Sequence, residues 1–263
     1  MHASVQSANR PLISVIIPTL NRAAYVREAI ESVFAQDYPR VELIVVDNGS
    51  TDDTQKLLAA YGSQLLVRRL TVQGIGIARN AGAALARGEF LAFLDDDDLW
   101  VPNKLSVQMQ CLLAEPAADV VYGQMQQFAS PELPAEVRAK FHHLDGQVLA
   151  SPLPTSMLIR RAAFERVGPY NEALGLGVEM EWYARLQDTG LTTITLDTVV
   201  YRRRLHPGNV NVTRAHEQRE RLQVLRHVLA RRRAAGSAEP PRGATPTPHA
   251  LSSIHPSAPS PDA

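Results

Sequence analysis

Between Ile13 and Tyr122 the chain alternates short apolar runs with stretches of helical spacing, and this alternation constrains the fold more than any other feature. Ile13-Ser14-Val15-Ile16-Ile17, ending at Pro18, predicts a buried strand. Residues 23–35 carry apolar side chains at Val26, Ala29, Ile30, Val33 and Phe34, the spacing of an amphipathic helix. Residues 41–46 predict a second strand, and 51–60 a helix with Ser50 or Thr51 as its cap. A third strand is expected over 65–70, an Ala-rich helix over 75–86, and a fourth strand over 90–94 that four aspartates stop. Pro102 suits the first turn of a helix running to about residue 115. Residues 120–122 begin another strand. The order predicts an α/β fold, a mostly parallel Rossmann-like sheet flanked by helices on both faces. Ligands of such sheets sit beyond the carboxyl ends of the strands. Three strands end there in polar clusters: Thr19 with Asn21, Asp47 with Asn48, and Asp95 to Asp98.

The second half is less regular. Residues 130–153 hold three prolines and read as a loop or excursion. A strand is expected over 155–159, a short helix over 162–167, a glycine-containing loop over 168–177, a helix over 179–188 and two short strands over 194–201. Residues 1–10 read as a flexible N-terminus. One domain is expected over 11–233, with a nucleotide-binding half (11–125), an acceptor and catalytic half (126–212) and a basic helix (213–233). Residues 234–263, rich in Pro, Ser and Ala, are expected to be disordered because they cannot bury enough surface to offset ordering entropy.

Charge narrows the function. Lys plus Arg and Asp plus Glu are both 27, so the formal net charge is zero, which argues against a dedicated nucleic-acid binder. Between Arg202 and Arg233, however, ten Arg face two Glu, a local net of +8. Leu222, Leu225, Val228 and Leu229 form an apolar stripe among those arginines. Such a helix either packs on the main domain or makes peripheral contact with an anionic membrane through 214–233. The single cysteine, Cys111, excludes an intrachain disulfide. No apolar run approaches the ~18 residues of a membrane span, and the first residues lack a signal-peptide core. A cytoplasmic protein, membrane-peripheral at most, is the expectation.

The chemistry concentrates in Leu94-Asp95-Asp96-Asp97-Asp98. Adjacent carboxylates repel, and they are tolerable only in water or around a cation. On an extended chain Asp95 and Asp97 would face one site. Hard oxygen donors suit Mg²⁺ or Mn²⁺, which would bridge to a diphosphate. Asp47, at the end of the second strand, can accept hydrogen bonds from a base or a ribose. Arg79 and Asn80, after Gly74 and Gly76, either face a nucleotide or brace the acidic loop.

Four segments together resemble the successive motifs of glycosyltransferase family 2. They are Ser14 to Arg22, Val45 to Thr54, Ala78-Arg79-Asn80-Ala81-Gly82 and Phe93 to Pro102. The resemblance runs from about Ile13 to about Val212 and implies the GT-A fold and inverting transfer from a nucleotide diphosphate sugar. It further implies nucleotide contacts at Pro18, Thr19, Asn21, Asp47, Arg79, Asp95 and Asp96, with Asp47 at the nucleobase, Asp95 near the ribose and Asp96 in a variable slot. Asp97 resembles the metal ligand for Mn²⁺ or Mg²⁺, and His206 a C-terminal histidine that reaches the metal or diphosphate. Asp98 resembles a structural acid. Gly175 to Arg185 resembles the loop and acidic motif that supply the base. The slot six residues before Arg185 is Glu179, and Glu181 falls in the second acidic position. Asn48 stands where the family more often has a second aspartate.

The resemblance implies an acceptor hydroxyl on a saccharide, a lipid-linked or another molecule, and a role in cell-surface polysaccharide or glycoconjugate synthesis. Two other functions compete. A sugar nucleotidyltransferase would carry a glycine- and basic-rich loop after the first strand, where this chain has Pro18-Thr19-Leu20-Asn21. A non-catalytic sugar-nucleotide-binding subunit would have no need of Asp95, Asp97 and Glu179 together.

Overall fold

The computed structural model describes residues 10–175, 177–206 and Val228. Among the described residues, nine strands form one mixed sheet with helices on both faces. In chain order the elements are β1 (Ile13–Thr19), α1 (Ala23–Phe34), β2 (Val41–Asp47), α2 (Thr54–Ala60), β3 (Leu66–Arg69), α3 (Ile75–Leu85), β4 (Phe90–Phe93), β5 (Leu99–Trp100) and α4 (Lys104–Ala114). There follow β6 (Val120–Ala129), α5 (Ala135–Phe141), β7 (Val148–Ser151), β8 (Leu158–Arg160), α6 (Arg161–Val167), α7 (Val178–Asp188) and β9 (Thr193–Leu205). The strand order is β3-β2-β1-β4-β8-β6-β9-β5, with β7 also on β6.

The parallel half is β3, β2, β1 and β4. Its central strands are covered on both faces, which is why they read as unbroken apolar runs. Val15, Ile17, Leu43 and Val45 enter one core cluster, with Val26, Ile30 and Val33 of α1. Ile16, Ile44 and Val46 enter the other, with Phe164, Tyr170 and Trp182. The expected stripe of α1 is buried except at Phe34, which is 41% exposed.

Helix α3 approaches β1 and β2 closely enough to require Gly82. A Cβ added there would lie 2.4 Å from Ile16 Cγ2 and 3.2 Å from Val46 Cγ2. Gly82→Ala is therefore expected to destabilise the protein by about 1–3 kcal/mol through overpacking, read as an earlier denaturant midpoint. An unchanged midpoint would mean the interface can relax.

Several boundaries differ from expectation. Helix α2 starts at Thr54, not residue 51, and neither Ser50 nor Thr51 caps it. Asn21 Oδ1 accepts the N–H groups of Thr51 (2.7 Å) and Asp52 (3.4 Å), which holds that segment as a loop. Residues 130–153 are not simply a loop: α5 and β7 lie there, β7 pairing antiparallel with β6. The expected strand at 155 begins later, after a 3₁₀ turn at Pro154–Ser156. The two strands expected over 194–201 are one, β9, whose register against β6 shifts around Gln124. The division at 125/126 falls inside β6, so both expected halves share a sheet.

Among the described residues no helix is long and apolar enough to cross a membrane. The basic helix expected over 213–233 lies outside the described residues, Val228 excepted. Val228 is helical and 6% exposed, and it packs with Ala184 of α7 and with Leu174. The rest of the stripe, Leu222, Leu225 and Leu229, lies outside the described residues. The tail over 234–263 and the N-terminus over 1–9 also lie outside the described residues.

Candidate active site

The polar ends of β1, β2 and β4 gather at the carboxyl edge of the sheet, and the end of β9 joins them. The acidic run does not continue as an extended chain. It leaves β4 and turns, with Asp98 N–H donating to Asp95 C=O (3.1 Å). The alternation that would have aimed Asp95 and Asp97 at one point is lost in that turn, and each of the four carboxylates has its own surroundings.

Asp95 accepts a hydrogen bond from Arg79 Nη2 at 2.7 Å. Arg79 Nη1 donates to Glu179 Oε1 at 2.8 Å. One guanidinium, itself fully buried, thus spans from the acidic turn to the first turn of α7. Its cation also lies 5.4 Å from the centre of the Tyr170 ring. Of the two roles open for Arg79, bracing describes what it touches. Asn80 braces as well: its amide bonds both the N–H and the C=O of Tyr170.

Asp96, which the resemblance put in a variable slot, is 6% exposed and fastens two loops. It accepts from Thr19 Oγ1 (2.7 Å), from the N–H of Leu20 (3.4 Å) and from Arg22 Nη1 (2.9 Å). Burial pushes its carboxyl up to about 7, against the pull of Arg22. Asp97 Oδ2 lies 2.5 Å from Arg22 Nη1 and 3.1 Å from His206 Nε2. Burial opposes ionisation of Asp97, but the His206 hydrogen bond and the Arg22 charge outweigh it and hold the group below the usual carboxylate range. Asp98 is raised well above that range by burial and by its acidic neighbours. It accepts the N–H of Arg204 at 2.9 Å, a structural use.

Asp47 is 1% exposed. Its Oδ1 accepts the N–H of Ser50 at 2.8 Å, while among the described residues Oδ2 accepts no hydrogen bond and the nearest cation, Arg69 Nε, stands 3.8 Å away. A buried carboxylate oxygen without a donor is costly unless a ligand supplies one. Asn48 instead ties the loop before α3, accepting the N–H of Gly74 at 3.1 Å. Asn21 takes a left-handed backbone, φ +53°, which asparagine tolerates. Pro18 is buried within β1.

The two candidate bases differ in access. Glu179 has a side chain 36% exposed and faces the site through Arg79. Glu181 is 6% exposed, and both its oxygens lie near Arg185 Nε, at 3.0 and 3.1 Å. Arg185 is pinned in turn by the carbonyls of Val167 and Pro169. Gly177, with φ +80°, supplies the left-handed turn that starts α7.

Arg22 and Arg204 escaped the sequence reading. Arg204 is 2% exposed, donates to the carbonyl of Asp97 (2.9 Å) and to Glu28 (2.5 Å), and lies over the rings of Tyr25 and Phe128. The signal that could have found both is charge balance, because four clustered acids need cations nearby.

The donor set fits a hard divalent ion. Asp97 Oδ2 and His206 Nε2 are 3.1 Å apart, near the roughly 3 Å that separates neighbouring ligands in an octahedron of 2.1 Å bonds. Among the described residues no three His, Cys, Asp or Glu side chains group so as to hold a metal unaided. An ion held by Asp97 and His206 would therefore draw its remaining ligands from water and substrate phosphate, as Mg²⁺ sites commonly do.

Residues 14–168 match the family model of glycosyl transferase family 2, and the chain belongs to that family. An uncharacterized glycosyltransferase of Rickettsia typhi is 40% identical over 116 residues, 44% of this chain and 36% of that protein. The putative teichuronic acid biosynthesis glycosyltransferase TuaG of Bacillus subtilis is 36% identical over 115 residues, 41% of this chain and 45% of that protein. The chain thus spans less than half the length of these curated relatives. Among solved structures, TarS 1–349 of S. aureus in complex with UDP-GlcNAc matches with a TM-score of 0.66 at 22% identity, over 83% of this chain and 66% of that one. The mannosyltransferase PcManGT of Pyrobaculum calidifontis, in complex with GDP-Man and Mn²⁺, matches with a TM-score of 0.62 at 24% identity, over 90% of this chain and 68% of that one. The fold is that of GT-A glycosyltransferases.

Proposed function

We propose that the protein moves a sugar from a nucleotide diphosphate sugar to an acceptor hydroxyl with inversion, in a Mn²⁺- or Mg²⁺-dependent reaction of cell-surface polysaccharide or glycoconjugate synthesis. The observation that carries this reading is the Arg79 bridge, which sets Glu179 beside the acidic turn. Asp47 receives the nucleobase through its unpartnered oxygen. Thr19, Asn21 and Asp96 shape the loop against the nucleotide, and Asp95 stands near the ribose. Asp97 and His206 hold the ion, which when bound carries part of the leaving diphosphate's charge. Glu179 removes the proton of the acceptor hydroxyl. Single displacement needs one base and no covalent intermediate.

Neighbours in complex with UDP-GlcNAc and with GDP-Man support a nucleotide-sugar donor, and the TuaG match supports a polysaccharide setting. A thermal-shift screen tests the reading. At least one UDP- or GDP-sugar is expected to raise the melting temperature, more so with Mn²⁺, because ligands of the native state stabilise it. If no nucleotide sugar shifts the melt with or without metal, the donor assignment falls. Binding without hydrolysis or transfer would favour a non-catalytic subunit.

A further inference from the structure

We propose that Tyr170 is a positioning residue, whose ring fixes the plane of the Arg79 guanidinium and, through it, the place of Glu179 beside the acidic turn. The inference rests on Glu179 being the base. Arg79 donates through Nη2 to Asp95 (2.7 Å) and through Nη1 to Glu179 (2.8 Å). Two such bonds leave the planar group a pivot about the line between the two acids. Its third nitrogen, Nε, is buried and has no hydrogen-bond partner among the described residues, so no third bond stops that pivot. The ring of Tyr170 does. It lies against the guanidinium, with 5.4 Å from Cζ to the ring centre. A cation is drawn to a ring face most strongly where water is excluded, and both side chains are buried.

Tyr170 is itself held from two directions. Asn80, the neighbour of Arg79 on α3, accepts its N–H at 2.8 Å and donates to its C=O at 2.9 Å. Its ring stacks on Trp182 of α7, the centres 5.3 Å apart and the planes at 28°, and Phe93 meets it edge-on at 5.8 Å. Trp182 follows Glu179 by three residues on the same helix, a spacing that makes them neighbours on its surface. Tyr170 thus touches both ends of the bridge, the arginine and the helix that carries the glutamate. Little slack is left between α3 and this segment. A Cβ added at Gly76 would lie 3.2 Å from the carbonyl oxygen of Asn171 and 3.3 Å from Val178 Cγ2. The ring does this without its hydroxyl, which is buried and has no hydrogen-bond partner among the described residues.

The test is a double-mutant cycle on the full chain. Tyr170→Leu, Tyr170→Phe and Asn80→Ala are each made in the parent and in Glu179→Gln. Turnover is read as UDP released from UDP-GlcNAc and GDP released from GDP-Man with Mn²⁺. Calorimetry reads the binding of UDP and GDP with Mn²⁺, and crystallography of Tyr170→Leu reads the place of Arg79. In the parent, Tyr170→Leu is expected to lower kcat at least ~10-fold, since a small misplacement of a reacting group is costly, with diphosphate affinity near the parent value. In Glu179→Gln it should cost nothing further, because a residue that acts through Glu179 has nothing left to position. Tyr170→Phe keeps the ring face and should turn over as the parent does, melting no lower because the deleted hydroxyl has no partner. Asn80→Ala frees the backbone of Tyr170 and should show a smaller loss of kcat, again absent in Glu179→Gln. It carries the test, crystal structure included, if Tyr170→Leu does not fold. Equal losses in both backgrounds overturn the proposal, as does a Tyr170→Phe rate as low as that of Tyr170→Leu. So does a Tyr170→Leu structure in which Arg79 keeps both hydrogen bonds, whatever the rates. If Glu179→Gln turns over like the parent, the reading of Glu179 as base fails and the proposal with it. If Glu179→Gln is impaired and Tyr170→Leu matches the parent, only the proposal fails.

Discussion

Glu179→Gln is expected to keep metal and donor binding and to cut sugar transfer by at least ~100-fold at saturating donor, a typical loss for a general base. Glutamine preserves the shape of the side chain and can still accept the hydrogen bond of Arg79 Nη1. What it removes is the capacity to take a proton. Glu179 qualifies by position: it lies in the first turn of α7, its side chain is 36% exposed, and Arg79 ties it to Asp95. Glu181→Gln should cost less turnover and more stability. Glu181 is buried against Arg185, whose guanidinium also bonds two backbone carbonyls at the start of the 168–177 loop. Removing one member of a largely enclosed ion pair leaves the other without its counter-charge. Melting curves beside initial rates decide between the two acids. If Glu181→Gln loses the greater share of turnover while its melting temperature stays at the parent value, the base is Glu181.

Asp97→Asn is expected to nearly abolish transfer and to remove the Mn²⁺-dependent part of nucleotide diphosphate binding. The substitution is close to isosteric, but it deletes the anion that faces both Arg22 and His206. Chelation with EDTA should lower the parent's rate to the same floor, and added Mn²⁺ should restore the parent but not the variant. Rates unchanged by the substitution, or by EDTA, would remove the metal from the mechanism. His206 shares the oxygen of Asp97 and stacks at a tilt near Tyr25, the ring centres 4.9 Å apart. Rigid placement of this kind would suit the proposed metal site, where the protein would supply few ligands and would have to fix the direction of each.

The parallel half was legible because burial on both faces imposes continuous apolar runs on β1, β2 and β4 and a 3.6-residue period on α1. Residues 130–153 were not. β7 spans four residues, three of them exposed, and it forms by pairing with β6 rather than by a pattern of its own. The site was legible in residue type and not in geometry. Asp95 and Asp97 belong to one acidic cluster, but a turn separates their directions, and turns among like charges depend on distant cations that no local pattern announces. Arg22, Arg79 and Arg204 are those cations. They lie 74, 16 and 107 residues from their acidic partners or carbonyls in the turn, separations that only the folded sheet brings together.

The Arg79 bridge also limits how such a chain can diversify. Arg79 and Asp95 lie within the segment that matches the family model, residues 14–168, and Glu179 lies after it. A recombination that replaced everything beyond residue 168 would inherit a guanidinium already sealed inside the protein. Unless the incoming segment brought a hydrogen-bond acceptor to the same spot, one N–H of that buried guanidinium would be left without its partner, a deficit folding tolerates poorly. Shuffling of the later segment is thus filtered by electrostatics before any test of activity. Lineages free to vary the loops and strands after residue 168 would still need an acceptor for Arg79 at the first turn of α7.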